Sequence, residues 1–236
     1  KGLLVSIVGE FDPVGGGLAG SPKFPMFPLL RMLLYMSGTP ITKNINLLKT
    51  LKKSATSLCL GGIYDHVCGG LSRYSTDEYW LVPHFEKMLY DNAQFIDFLS
   101  SLVSLDNSPL YVDRIDKTFS WLDGEMFFSK SNSCAYFSAI DADSDGVEGL
   151  YYVWDYNEII EYLGEGGKEF ALQYGAKNEG NWEGKNILNR IDRDSGDDVR
   201  YEISEENKTY LSKLLSKRKQ RPRPGIDNKI LTDWNA

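Results

Sequence analysis

GGIYDHVCGGLSRYSTDEYWLVPHFEKMLYDNA, residues 61–93, holds both histidines of the 236-residue chain, His66 and His84. It also decides the fold class. The Gly61-Gly62 pair ends a helix, because glycine is the usual stop after a last helical turn. Pro83 is tolerated in a first helical turn and predicts the start of the next helix. Between them lies a long Gly-rich stretch carrying acids, an arginine and several aromatics. Two helices joined by such a loop predict a mainly α protein whose chemistry sits on connections.

Working upstream, residues 42–60 place Ile45, Leu48, Leu51, Ala55 and Leu58 on one helical stripe, with Lys49, Lys52 and Lys53 left for solvent. FDPVGGGLAGSPKFPMFP, residues 11–28, reads as a folded loop leading into a helix over 27–35. Downstream, the helix from Pro83 continues through Leu89, Phe95, Ile96, Leu99 and Val103, and another is predicted over 109–127. The period then changes. CAYFSAIDADSDGVEGLYYVW reads as two short strands around an acidic turn. Short helices follow over 157–163 and near Phe170, NWEGKNILNRI looks strand-like, and 205–219 is an amphipathic helix.

The net charge of −7 argues against a general nucleic-acid binder, and no apolar run approaches the ~20 residues of a membrane span. The start, KGLLVSIVGEFD, makes a poor secretion signal and lacks an initiator Met, which fits a processed form or a piece of something longer. Cys59, Cys68 and Cys134 form no C-x-x-C and are odd in number, which fits reduced thiols and a cytoplasmic location. No metal and no cofactor are expected. Asp141, Asp143, Asp145 and Gly146 match the opening of a calcium loop, but Tyr152 stands where its bidentate Glu belongs. A solvated hairpin turn and a weak calcium site are the two readings. The basic run KRKQRPR, residues 217–223, reads as a helix end and linker.

The 61–93 stretch closely resembles the signature of a family of thioredoxin-domain-containing proteins that includes the spermatogenesis-associated proteins. FDPVGGGLAGSPKFP, FSAIDADSDGVEGLYYVW, NWEGKNIL and RPRPGIDNKILTDWNA look like further blocks of it, in the same order. The resemblance implies a partial α/α toroid, similar to N-acylglucosamine 2-epimerase and six-hairpin glycosidases, with a small β-hairpin insertion. Residues 1–236 would be one incomplete toroid segment, with a thioredoxin-like domain or the missing toroid half as its partner. The sequence departs from the family at Cys68, where relatives usually have Gly, and at Ser72, where they often have His; loss of a catalytic His there would impair the chain.

In such a toroid, loops at one rim line a central cavity. His84, just after Pro83, would sit at a helix N-terminus, whose dipole keeps imidazole neutral. His84 and Asp91, seven apart, would share a helix face, and Glu86 and Tyr90 form an i, i+4 pair. His66, His84, Glu86 and Asp91 are the candidate proton-transfer residues, and Asp65, Arg73, Tyr74, Trp80 and Tyr90 the candidate substrate contacts. Arg73 would clamp an anionic group, and Tyr74, Tyr79 and Trp80 would stack on a sugar ring. The same residues also read as caps, solvated charges and core. Three functions stay open: a carbohydrate-active toroid that isomerises or hydrolyses sugars by proton transfer, a non-catalytic sugar-binding or scaffold segment, and an inactive fragment.

Overall fold

The computed structural model describes residues 2–42, 46–131, 133–191 and 202–236. Among them, helices dominate: α1 (Gly2–Gly9), α2 (Phe27–Ser37), α3 (Leu47–Leu60), α4 (Leu89–Val103), α5 (Pro109–Trp121), α6 (Tyr156–Leu163), α7 (Gly167–Gln173) and α8 (Glu205–Arg218). The strands are short: β1 (Lys87–Met88), β2 (Phe127–Lys130), β3 (Ser133–Tyr136), β4 (Ala139–Ile140), β5 (Asp143–Ser144), β6 (Val147–Glu148) and β7 (Ile226–Asp227).

Helices α2 to α5 pack on one another around the larger core. Leu47, Leu51, Ala55 and Leu58 of α3 are buried there with Phe27, Leu30 and Leu33 of α2 and Phe95, Phe98 and Leu102 of α4. Each such leucine contributes about 2 kcal/mol by burial. The predicted α3 stripe is borne out from Leu47 onward; its expected start at Thr42 belongs instead to a separate tight turn, Pro40–Thr42, and residues 43–45 lie outside the described residues. Asn46 caps the helix by accepting from Lys49 N. At the other end, a Cβ on Gly61 would lie 2.6 Å from the Trp80 carbonyl, so the glycine pair is set by a close backbone crossing. A second core gathers Ile159 and Leu163 of α6, Phe170 of α7 and Leu211 and Leu214 of α8 around Trp154. Here α6 is capped by Asp155, which accepts from Asn157 N and Glu158 N. Ser204 caps α8, whose first turn is acidic and last turn basic, in line with the helix dipole.

The described residues form three small antiparallel sheets, β1–β4–β7, β2–β3 and β5–β6. In the first, Lys87 faces Ile140 and Met88 faces Ala139, while Ile140 also faces Ile226. Several expectations are corrected. The residue stretch 1–10, read only as briefly apolar, carries the helix α1. Helix α5 stops at Trp121 and passes through one wide turn, Leu122–Met126, into β2. The 181–191 stretch forms no strand; it is a loop held by single bridges, Trp182 to Lys185 and Asn186 to Trp154.

The largest correction concerns Pro83. It opens no helix. It bridges Ser75, and the chain enters no helix before Leu89. Phe85 takes a left-handed φ of 61° and buries its ring, which a continuous helix could not do. Lys87 and Met88 are already committed to β4. His84 is therefore not at a helix N-terminus, and neither the His84–Asp91 nor the Glu86–Tyr90 pair shares a helix face.

Candidate functional site

The loop between α3 and α4 is organised by its own side chains. Asp77 accepts from Ser75 Oγ at 2.9 Å and from the amides of Tyr79, Leu81 and Val82, which closes the STDEYW turn. That turn drives Trp80, at φ 64°, into the interior. Its ring is wholly buried, its Nε1 donates to Gly15 O at 3.0 Å, and the Lys23 ammonium sits 5.3 Å from the ring centroid. Trp80 thus offers no face to a sugar; it fastens the 11–28 loop to this one.

Asp65 and His66 also lie inside. Asp65 is held by Arg218 through two bonds of 2.9 and 2.8 Å and by Lys87 at 2.9 Å. Burial alone would raise its carboxyl, but the two cations hold it well below the usual carboxylate range. Burial pulls the Lys87 amine down in turn, and its Nζ also donates to Gly69 O at 2.8 Å. His66 Nε2 is 3.0 Å from Gly61 O, an acceptor only, so that nitrogen carries the proton. Nδ1 then accepts from Arg114 Nη2 at 3.3 Å. Burial and the Arg114 charge keep the imidazole neutral, well below the ordinary histidine range. Both ring nitrogens are engaged, so His66 is not a free base. It borders a cavity of about 30 Å³ with Tyr64, Ser72, Phe85 and Tyr152. That is room for a water or so, against the several hundred Å³ of an ordinary ligand pocket. Cys68 borders a second cavity, of about 20 Å³, with Trp121 and Arg218.

The other predicted residues come together in two clusters nearer the surface. The segments 73–75 and 83–86 pair, with Arg73 N donating to Glu86 O at 2.8 Å and His84 N to Tyr74 O at 3.0 Å. In the first cluster Arg73 Nη1 lies 3.2 Å from Glu86 Oε2. Asp91, in the first turn of α4, stands within reach of both charges. Burial pushes its carboxyl up to about 7, Glu86 adds to the rise and Arg73 opposes it. Asp91 Oδ2 is buried and has no hydrogen-bond partner among the described residues. Burial and then Asp91 push the Tyr90 phenol up. Trp234 packs edge-on against that ring at 4.7 Å.

In the second cluster three rings stack in a row. Phe24 lies 4.7 Å from Tyr74, and Tyr74 lies 4.8 Å from His84 with 18° between planes. His84 Nδ1 is 2.9 Å from Glu148 Oε1. His66 lies inside, edge-on to Tyr64 and Tyr174, while His84, Arg73 and Asp91 take their partners from the two clusters above.

Sequence reasoning missed Glu148, Trp234 and the interior cations Lys87, Arg114 and Arg218. Arg218 was hidden in a basic run that reads as solvated. Glu148 could have been found from the hairpin register, since the DADSDG turn fixes which acid faces back toward the loop. Among the described residues no group of three His, Cys, Asp or Glu side chains could hold a metal ion. Nor is any described helix long and apolar enough to cross a membrane.

A mainly helical chain with loop-borne ionisable clusters is the class this geometry defines. No protein-family model matches it. The chain is homologous to spermatogenesis-associated protein 20: the Homo sapiens protein is 32% identical over 272 residues, 96% of this chain and 33% of that protein. The Mus musculus protein is 32% identical over 263 residues, with 96% and 32% covered. An uncharacterized Caenorhabditis elegans protein is 29% identical over 258 residues, with 96% and 35% covered. The chain therefore spans about a third of the length of the curated relatives it matches. Among solved structures, a sugar epimerase from a ruminal bacterium superimposes with a TM-score of 0.48 at 18% identity, covering 71% of this chain and 48% of that one.

Proposed function

We propose that the chain carries a proton-transfer site for a sugar-class ligand on the Arg73–Asp91 loop. On this reading the helices form part of an α/α toroid and the loop belongs to its working rim. The observation that carries the proposal is Asp91. A half-buried carboxyl with one unpartnered oxygen, pushed up to about 7 beside a fixed cation and a second carboxylate, can both give and take a proton at working pH. Arg73 and Glu86 supply a donor and an acceptor for hydroxyl groups. The half-exposed His84 ring, backed on one face by Tyr74, supplies a flat surface for the apolar C–H face of a sugar.

The test is proton NMR of mono- and disaccharides in D₂O with the chain present. Binding should broaden sugar signals, and exchange of a carbon-bound proton or cleavage of a glycoside should follow. Asp91→Asn should keep the binding and lose the exchange or cleavage. Absence of binding across the panel, or turnover unaffected by Asp91→Asn, would sink the reading.

A further inference from the structure

Asp65 is shared by two buried cations. The side chains of Lys87, Arg218 and Asp65 are only 1, 2 and 8% exposed. The Asp65 carboxylate takes five donors. Its Oδ1 accepts from the Val67 and Cys68 amides at 3.0 and 3.3 Å and from Arg218 Nη1 at 2.9 Å. Its Oδ2 accepts from Lys87 Nζ at 2.9 Å and Arg218 Nη2 at 2.8 Å. A carboxylate has about four lone-pair sites, so this one has no acceptor capacity left. The three groups still carry one more positive charge than negative. A charge removed from water is costly unless it is paired.

The groups around the triad do not supply the missing charge. Gly69 O, the other acceptor of Lys87, is neutral. The Tyr151 and Tyr152 rings lie 5.2 and 5.5 Å from the Arg218 guanidinium carbon. Burial pushes both phenols up, so they stay protonated. Arg218 also keeps a donor in hand: its Nε is buried and has no hydrogen-bond partner among the described residues. Lys87 and Arg218 both line the cavity of about 20 Å³ that Cys68 borders. That is room for a guest of the size of one water.

We propose that this cavity is a site for a monatomic anion, chloride or another halide, held by Arg218 Nε and the Lys87 ammonium. A halide is a one-atom guest, accepts hydrogen bonds from any direction and brings the charge that the triad lacks. Sulfate or phosphate is too large for the volume. The ion would fasten three parts of the chain at once, because Asp65 comes from the loop after α3, Lys87 from β1 and Arg218 from the end of α8. The site uses neither Arg73 nor Asp91, so it is independent of sugar binding.

The test is thermal melting of the whole chain at constant ionic strength, with sodium gluconate replaced stepwise by sodium chloride or sodium bromide. An ion bound by the folded chain alone raises the melting temperature as its concentration rises. The expected result is such a rise with either halide. Lys87→Gln, which cancels the surplus charge and keeps a donor, should lose it. A crystal of the wild-type chain grown in sodium bromide gives a readout that needs no variant: an anomalous bromine peak in the cavity, in contact with Arg218 Nε. A water there instead, or melting indifferent to halide, would overturn the proposal. A bromine peak without any shift in melting would mark an adventitious ion only and overturn it equally.

Discussion

Asp65 and Arg218 are 153 residues apart in sequence and meet in a bidentate pair, Nη1 to Oδ1 at 2.9 Å and Nη2 to Oδ2 at 2.8 Å. The pair ties the loop after α3 to the end of α8, and Lys87 closes the triangle from β1. Removing one member of a buried pair strands the other, at about 3–5 kcal/mol. Asp65→Asn should therefore lower the urea midpoint strongly at neutral pH. The pH dependence has a definite sign. The folded carboxyl is held below its unfolded value of about 3.9, so its contribution is complete above that pH and fades as the pH falls through the lower folded value. The gap between wild type and Asp65→Asn should narrow below about pH 4. A gap that stays constant on acidification would show that ionic pairing is not its source.

His66 gives the opposite chemistry with the same direction of acid sensitivity. Its folded imidazole resists protonation, whereas the unfolded chain takes up a proton near pH 6.5. Its contribution is present above that value and is lost as the pH falls below it. Replacing it with Ala removes the bonds His66 makes with Gly61 O and Arg114 Nη2, at about 1–3 kcal/mol. Thermal melts of His66→Ala should show that loss, and the deficit should shrink from about pH 7.5 to about pH 5. If His66 instead shows an ordinary titration by NMR, the double hydrogen bonding is absent in solution.

Asp91 runs against both. Its folded carboxyl is raised to about 7, so any stabilising effect is present below the unfolded value of about 3.9 and is lost as the pH rises toward 7. Asp91→Asn keeps the shape without the charge. It should stabilise the chain at pH 8 by on the order of 2 kcal/mol, after allowance for partial solvent screening, and make little difference near pH 4. A stability gain bought at a site that loses its chemistry is the pattern expected of a functional group. Equal midpoints at both pH values would show an ordinary, solvated carboxylate.

How much of this was legible follows from which signal each feature left. The α3 stripe through Leu51, Ala55 and Leu58 is local and was legible, whereas the caps Asn46 and Asp155 were not read, because the helices were expected to begin at 42 and 157. The DADSDG turn was legible too, its left-handed positions calling for Asp and Gly. The 83–88 segment misled because Pro83 fits a first helical turn, and nothing local reveals that Lys87 and Met88 pair with Ile140 and Ala139, some fifty residues on. Trp80 looked like a free aromatic because its partner, Gly15 O, is 65 residues away. Arg218 and Glu148 escaped for the same reason: their partners are distant, and a charge next to other charges gives no sign of burial. Arg73, Glu86 and Asp91 were separate candidates in the sequence, and what brings Arg73 to Glu86 is the pairing of the 73–75 and 83–86 segments rather than the helix that was expected.

The hairpin's seat on Phe85 can be weighed against its turn by two substitutions with the same backbone cost. Gly146 (φ 73°) and Gly149 (φ 72°) are both left-handed, and alanine in either costs about 1–2 kcal/mol. A Cβ at Gly146 meets nothing within 4 Å, whereas one at Gly149 runs into the buried Phe85 ring. Gly146→Ala should therefore lower the melting temperature by the backbone term alone. Gly149→Ala should lower it further, because Phe85 is packed against Tyr152 at 5.7 Å and Trp182 at 5.3 Å and cannot swing clear without disturbing both. The second variant should also lift β6 from the 83–86 segment and release His84 from Glu148, so that the His84 ring signals move while those of His66 do not. Equal melting temperatures for the two variants, with both histidine spectra unchanged, would mean that the hairpin rides on the surface without resting on Phe85.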